Sequence, residues 1–134
     1  IDSVITVISR EDGSATRSEF ERMVMGQATT TSNARVAPSS QSMIETVIAT
    51  PGSIGYVSMG YLNATRMTDR VNLLAIGETL PTPQTVADNI YPLRSTLFVV
   101  GNVEPEDTYR AFVGWMQGPA GQVIIGQNYA PLRP

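Results

Sequence analysis

The sequence predicts an α/β fold, and three observations carry that prediction. Apolar, β-branched runs of strand length recur along the chain, beginning with SVITVIS at residues 3–9. Between them lie segments whose apolar residues fall at the i, i+3, i+4 spacing of a helix face. The two kinds alternate, as they do when strands enter a largely parallel or mixed sheet and helices cover its faces.

Taken in order, SVITVIS reads as a strand buried on both sides. Asp12-Gly13 forms a turn, and Phe20, Met23 and Val24 then share one side of a helix. Thr16 and Glu19 have the form of a capping box, so the helix is expected to start near residues 14–16, and Gly26 is a stop. Residues 27–41 are polar and without hydrophobic periodicity, which predicts a loop. Met43, Ile44, Val47 and Ile48 define a second helix face, with Ser42 and Glu45 as a second capping box and TPGS at residues 50–53 as the break. IGYVSMGYL reads as a short strand and its exit, and RVNLLAI at residues 70–76 as another buried strand. PTPQTVADN fits a short helix with prolines in its first turn. STLFVVG at residues 95–101 reads as a fourth strand. Tyr109, Phe112, Val113 and Met116 then share a helix face, GPAGQVIIG gives a last helical turn or two, and NYAPLRP is extended. Phe20, Met23, Met43, Ile44, Val47, Phe112 and Met116 are the expected core, with Tyr56 and Trp115 as packing residues.

Composition narrows the chemistry. With 134 residues the chain can bury roughly two-thirds of its unfolded surface. Cysteine and histidine are absent, which removes thiolate nucleophiles, disulfides, a Ser-His-Asp triad and ordinary zinc or copper sites. Lysine is absent too, so all nine cations are arginines, whose planar fork suits carboxylate or phosphate. A net charge of −3 with scattered arginines lacks the basic stripe of a nucleic-acid groove. No apolar run approaches the roughly 20 residues that span a bilayer. The chain opens at Ile1 without a methionine or a basic and apolar leader, as a mature product or a fragment does.

The densest polar cluster is SREDGSATR at residues 9–17. A buried strand, a glycine turn and a helix start make an anion site from ordinary parts, because the first helical N–H groups have no intrahelical partner. Gly13, Ser14 and Ala15 let a ligand approach the backbone, Ser14 and Thr16 add hydroxyls, and Arg10 offers a bidentate contact. A polar turn that merely begins a helix uses the same residues. Asp12 fits three roles: capping the turn, pairing with Arg10, or accepting a hydrogen bond from a ligand that still carries a proton. The Gly-Lys-[Ser/Thr] of a P-loop and the three glycines of a dinucleotide fingerprint are absent.

SREDGSATR resembles the Arg-x-Asp-Gly-Ser-Gly-Thr-Arg segment of phosphate-binding proteins that serve ATP-driven (ABC) phosphate importers, within the type 2 periplasmic-binding-protein superfamily. Three more blocks resemble that family in the same order: ATPGSIGYVSMGYL, LPTPQTVADNIYPLRSTLFVV and AFVGWMQGPAGQVIIGQNYAPL. The resemblance implies a mixed or parallel sheet flanked by helices, incomplete relative to a two-lobed clamshell about twice this length. It makes residues 1–89 a second-lobe segment carrying the anion turn, and residues 90–134 the crossover strand and C-terminal helices that complete the first lobe, with one compact domain as the alternative for this chain. It puts Arg10, Asp12, Ser14, Ala15 and Thr16 at the phosphate, with Asp12 orienting Arg10. Gly13 lies in the same turn, and Arg17 fits either a ligand contact or a solvent-facing or inter-segment ion pair. Ala15 replaces the family's glycine and suffices if its backbone is helical. Ser39 and Ser40 are expected as helix caps.

The implied function is non-catalytic binding of inorganic phosphate as part of an importer's solute-binding component, partnered by the transporter's membrane subunits and working outside the cytoplasm. It needs no cofactor and no metal. A module of the same fold for another oxyanion is the alternative. An enzyme acting on phosphate esters would have to manage without His, Cys or Lys. Half of the clamshell is missing from the implied fold, so association with a missing N-terminal half, a homodimer or an exchange of elements between copies is expected.

Overall fold

The computed structural model describes residues 4–132. The chain falls into two compact units that meet at Leu73 and Leu74. The lobe division expected at 89/90 refers to the longer, two-lobed fold.

The first unit is built on a three-stranded parallel sheet in the order β2-β1-β3. β1 is Thr6–Arg10, β2 is Arg35–Ala37 and β3 is Ser53–Ile54. Ile8, Ser9 and Arg10 pair with Arg35, Val36 and Ala37, while Thr6 and Val7 pair with Ser53 and Ile54. β1 is thus the central strand, and Ile8, Ser9 and Arg10 are all buried. Helix α1, Ala15–Phe20, continues through a π-helical turn at Glu21–Met25 to Gly26, the expected stop. Helix α2, Ser40–Ala49, packs on β1 and β2 and contributes Met43 to a core shared with Ile8 and Ala37, each 1% exposed. Val47 and Val57 close around it. Helix α3, Met59–Thr65, buries Gly60 and Leu62 where only a strand exit was expected.

Thr16 and Ser42 are not the caps. Ser14, within the expected start of α1, caps it two positions earlier by accepting from the Arg17 N–H. Ser39, expected as a cap, caps α2 three positions ahead of Ser42 by accepting from the Ser42 N–H. β2 lies inside the expected loop, where three residues are too few for an alternation to register.

The second unit contains α4, Pro83–Ala87, α5, Asp107–Gln117, and α6, Pro119–Ile125. Thr82 and Thr85 form a reciprocal capping box on α4, whose first turn holds the expected proline. α6 folds directly back on the end of α5. Gly121 permits this, since a Cβ there would run into the backbone of Trp115 and Met116. Gln122 fixes the corner, donating to Met116 O at 2.7 Å.

Neither apolar run expected as a strand beyond residue 70 is one. Residues 70–76 carry only an isolated antiparallel bridge between Ile76 and Thr79. Residues 95–101 are irregular, with Phe98 81% and Val100 87% exposed. A β-branched run becomes a strand only when a neighbour takes its backbone hydrogen bonds, and among the described residues the sheet offers them no place. Phe112, expected in the core, is more than half exposed and stacks beside Trp115 with ring centroids 6.0 Å apart.

Candidate functional site

β1 and β2 run parallel and end side by side at Arg10 and Ala37, so the chain leaves both at one edge of the sheet. There it begins α1, capped by Ser14, and α2, capped by Ser39. Two helix starts, with their unpaired N–H groups, therefore flank the end of the central strand. A contact ties the strand end to the second of them: Arg10 Nη1 donates to Ser40 Oγ at 3.2 Å.

Arg10 is buried, 8% exposed, at the last position of β1. Its backbone N–H donates to Tyr56 Oη at 3.1 Å, and Ser9 Oγ bonds the same phenol at 2.9 Å. Tyr56 follows β3 and lies flat on Phe20, with centroids 4.2 Å apart and planes 5° from parallel. One tyrosine thus links the exit of β3, the end of β1 and the last turn of α1. The Arg10 guanidinium is gripped by its neighbour Glu11, Nε donating to Oε2 at 2.7 Å and Nη2 to Oε1 at 2.8 Å. This charge-assisted fork raises the Arg10 pKa, against the opposing effect of burial, and holds the Glu11 carboxyl below the usual carboxylate range.

The turn after Arg10 closes when Ser14 N–H donates to Glu11 O at 3.3 Å, with Gly13 at φ +83°. A left-handed residue at that position favours glycine. Arg17 reaches back over the turn. Its Nη1 donates to Arg10 O at 3.1 Å and pairs with Asp12 Oδ1 at 2.5 Å, while its Nε pairs with Glu21 Oε1 at 2.7 Å. The hydrogen bond it donates to Glu21 is the main reason its pKa is raised.

These distances reassign one expected role. Asp12 does not orient Arg10; its side chain is 95% exposed and belongs to Arg17. Glu11 holds Arg10 instead, because the strand ends at Arg10 and its neighbour can bend back alongside it. Of the other expected residues, Ser14 is buried at the cap, where its oxygen accepts a bond and its O–H remains a donor. Ala15 is helical, so the change from glycine is accommodated, and both it and half-buried Thr16 lie in the first turn of α1. Arg17 forms ion pairs, as one of its two expected roles had it, but with the near neighbours Asp12 and Glu21 rather than across segments.

Glu11, Ser40 and Tyr56 are the residues that motif reasoning missed as parts of this arrangement. Period-2 alternation puts Glu11 on the face opposite Arg10, a rule that lapses where a strand stops. Tyr56 carries no local signal for a bond to Arg10, which lies 46 positions away.

Near the second helix start, an open pocket of about 230 Å³ is lined by Ile44, Tyr61, Met67 and their neighbours. An apolar pocket of about 260 Å³ lies between Val7, Phe20, Met25 and Ile54. Among the described residues no helix is long and apolar enough to cross a membrane.

Comparison with known proteins identifies what the chain is similar to. The chain is 28% identical over 135 residues to the phosphate-binding protein PstS of Borreliella burgdorferi, matching 95% of this chain and 48% of that protein. It is 27% identical over 134 residues to the Bacillus subtilis protein of the same name, matching 98% of this chain and 43% of the relative. Among solved structures, a putative phosphate ABC transporter substrate-binding protein with bound phosphate from Clostridium perfringens aligns at a TM-score of 0.80 with 25% identity. That alignment takes in 99% of this chain and 54% of the other. PstS from Borrelia burgdorferi aligns at 0.73 with 26% identity, over 100% of this chain and 55% of that one. The chain thus spans about half the length of the relatives it matches. A family model described as a PBP superfamily domain matches residues 2–120, most of the chain, and the chain belongs to that superfamily.

Proposed function

We propose that this chain holds inorganic phosphate without transforming it, as part of the solute-binding component of an ABC phosphate importer. The observation that carries the reading is Arg10, a buried guanidinium set at the end of the central strand between two helix starts. A fixed cation, unpaired N–H groups and the Ser14 hydroxyl are the donors that a tetrahedral oxyanion needs. The names of the relatives supply the anion, since both curated proteins are called phosphate-binding.

Under this reading Arg10, Ser14, Ala15 and Thr16 contact phosphate through the guanidinium, hydroxyls and first-turn amides. Gly13 lets the backbone approach, and Arg17 and Asp12 brace the turn. In the whole protein, residues 1–89 belong to one lobe and 90–134 complete the other. Remaining sequence covers the apolar run around Phe98, and the assembled protein works outside the cytoplasm with the transporter's membrane subunits. The coverage of relatives by only about half supports this.

The test is calorimetric titration of phosphate and of sulfate into this chain and into the full-length protein, with a size measurement alongside. Phosphate is expected to bind the full-length protein far more tightly than the chain, because an open half-site leaves the anion in water, where each contact is weak. Equal affinities for phosphate and sulfate in the full-length protein would turn the reading toward another oxyanion. Full-strength binding by a monomer of this chain would refute the half-site. A dimer of this chain would identify a second copy as the cover.

A further inference from the structure

We infer that Glu11 is an internal stand-in for the ligand, a carboxylate that occupies the Arg10 fork until an incoming anion displaces it. The inference rests on the phosphate reading above and concerns how the same site is kept ready. Three observations lead to it.

The first is geometric. Glu11 meets Arg10 through two parallel bonds of 2.7 and 2.8 Å, the arrangement in which a guanidinium takes a bidentate oxyanion ligand. Two of the five guanidinium N–H groups go to Glu11 and one to Ser40. A tetrahedral anion that takes the side-on fork has to take it from Glu11.

The second is an asymmetry of burial. The Arg10 side chain is 10% exposed and the Glu11 side chain 35%. The cation is held by Ser40 on a strand end whose own amide is bonded to Tyr56, whereas the carboxylate has a path to water. A buried guanidinium needs an anion at all times, since an unpaired charge there is costly. An exposed partner can leave at little cost once a replacement has arrived.

The third is that the neighbouring charges are already committed. Asp12 and Glu21 pair with Arg17, and Arg22 pairs with Glu19, so Glu11 is the carboxylate the local arrangement leaves to Arg10.

The experiment follows both partners while inorganic phosphate is titrated into this chain, up to millimolar concentrations. Nuclear magnetic resonance reports the Glu11 carboxyl carbon and the Arg10 Nε–H, and calorimetry compares the unsubstituted chain with Glu11→Gln. As phosphate saturates, the Glu11 carboxyl signal is expected to move to the position of a free glutamate while the Arg10 Nε–H stays protected from exchange. Glu11→Gln, a neutral and weaker competitor, is expected to bind phosphate roughly three to ten times more tightly. Phosphate that saturates without moving the Glu11 signal would overturn the inference and leave the phosphate reading standing. Weaker binding by Glu11→Gln, with that signal unmoved in the parent, would make Glu11 a positioning residue instead. No response to phosphate at any of these probes would overturn the inference for this chain, while the phosphate reading is decided separately by the full-length titration above. The carboxyl signal is read in the unsubstituted chain, so the result does not depend on how well the variant folds.

Discussion

The two units carry similar apolar sequence and bury it to different degrees. The unit ending at Leu73 closes Ile8, Ala37, Met43, Ile44 and Leu62 away from water. From Leu74 onward, the described residues fully bury only Tyr91 and Gly121, while Leu97, Phe98, Val99 and Val100 are all at least 66% exposed. The difference is the sheet. Strands brought together from distant parts of the chain create a surface with an inside, and α2 seals it. Helices that are neighbours in sequence, such as α5 and α6, make a corner without an interior. A buried arginine needs the first kind of architecture, and that is where Arg10 is found.

The strongest way to break this comparison is to cut into each unit in turn. Ile8→Ala should cost about 2–5 kcal/mol of stability in denaturant titration, through lost burial and the cavity left behind. Phe98→Ser should stay within about 0.5 kcal/mol, because that ring is in water already. Equal costs would mean that the second unit has a core of its own. Next in size is the effect on the ligand. Arg10→Ala should weaken phosphate binding about tenfold or more, the worth of a charged hydrogen-bonding partner, while Arg110→Ala, which loses only a bond to Pro105 O, should not change it. A phosphate response that survives Arg10→Ala would move the site elsewhere.

Gly13→Ala should cost about 1 kcal/mol, since alanine is strained at φ +83°, although the added methyl has open space around it. Thermal unfolding of the variant checks this, and an unchanged midpoint would show that the turn relaxes. The smallest effects come from titration and separate the units again. The Glu11 carboxyl is held low by Arg10, so its stabilising contribution is complete above the ordinary glutamate range. That contribution is lost as pH falls through the lowered value. Burial raises the Tyr91 phenol, so its contribution is complete below the ordinary tyrosine range and is lost as pH climbs past it. Glu11→Gln should flatten only the acid limb of a stability profile and Tyr91→Phe only the alkaline limb.

How legible this was in the sequence depends on the range of the forces involved. α1, α2, α4 and α5 could be read because caps, periodicity and prolines act within a few residues. β1 could be read in part: Thr6–Arg10 is the central strand, while Val4 and Ile5 of the same apolar run lie outside it and are exposed. The runs at 70–76 and 95–101 look equally strand-like, and they fail because a strand is a property of two segments, only one of which is in the quoted stretch. β2 was hidden for the opposite reason, as a poor run that is a strand because β1 lies beside it. In the site, the motif gave Arg10, Gly13 and Ser14 their places. Whether Glu11 or Asp12 serves Arg10 is decided by how the backbone turns at the end of β1, and no spacing encodes that. The phenol of Tyr56 arrives from 46 positions away through the sheet.

The stack of Tyr56 on Phe20 also gives the protein a built-in optical probe. Two rings held flat on each other in a chiral setting produce a near-ultraviolet circular dichroism signal, and this one is wired to the Arg10 amide. The single tryptophan, Trp115, is in the other unit, nearly half exposed beside Phe112. The Tyr56 share of that signal, isolated from the other four tyrosines by comparison with Tyr56→Phe, follows the turn after Arg10, while tryptophan fluorescence follows the α5–α6 corner. Both units can be watched without a label.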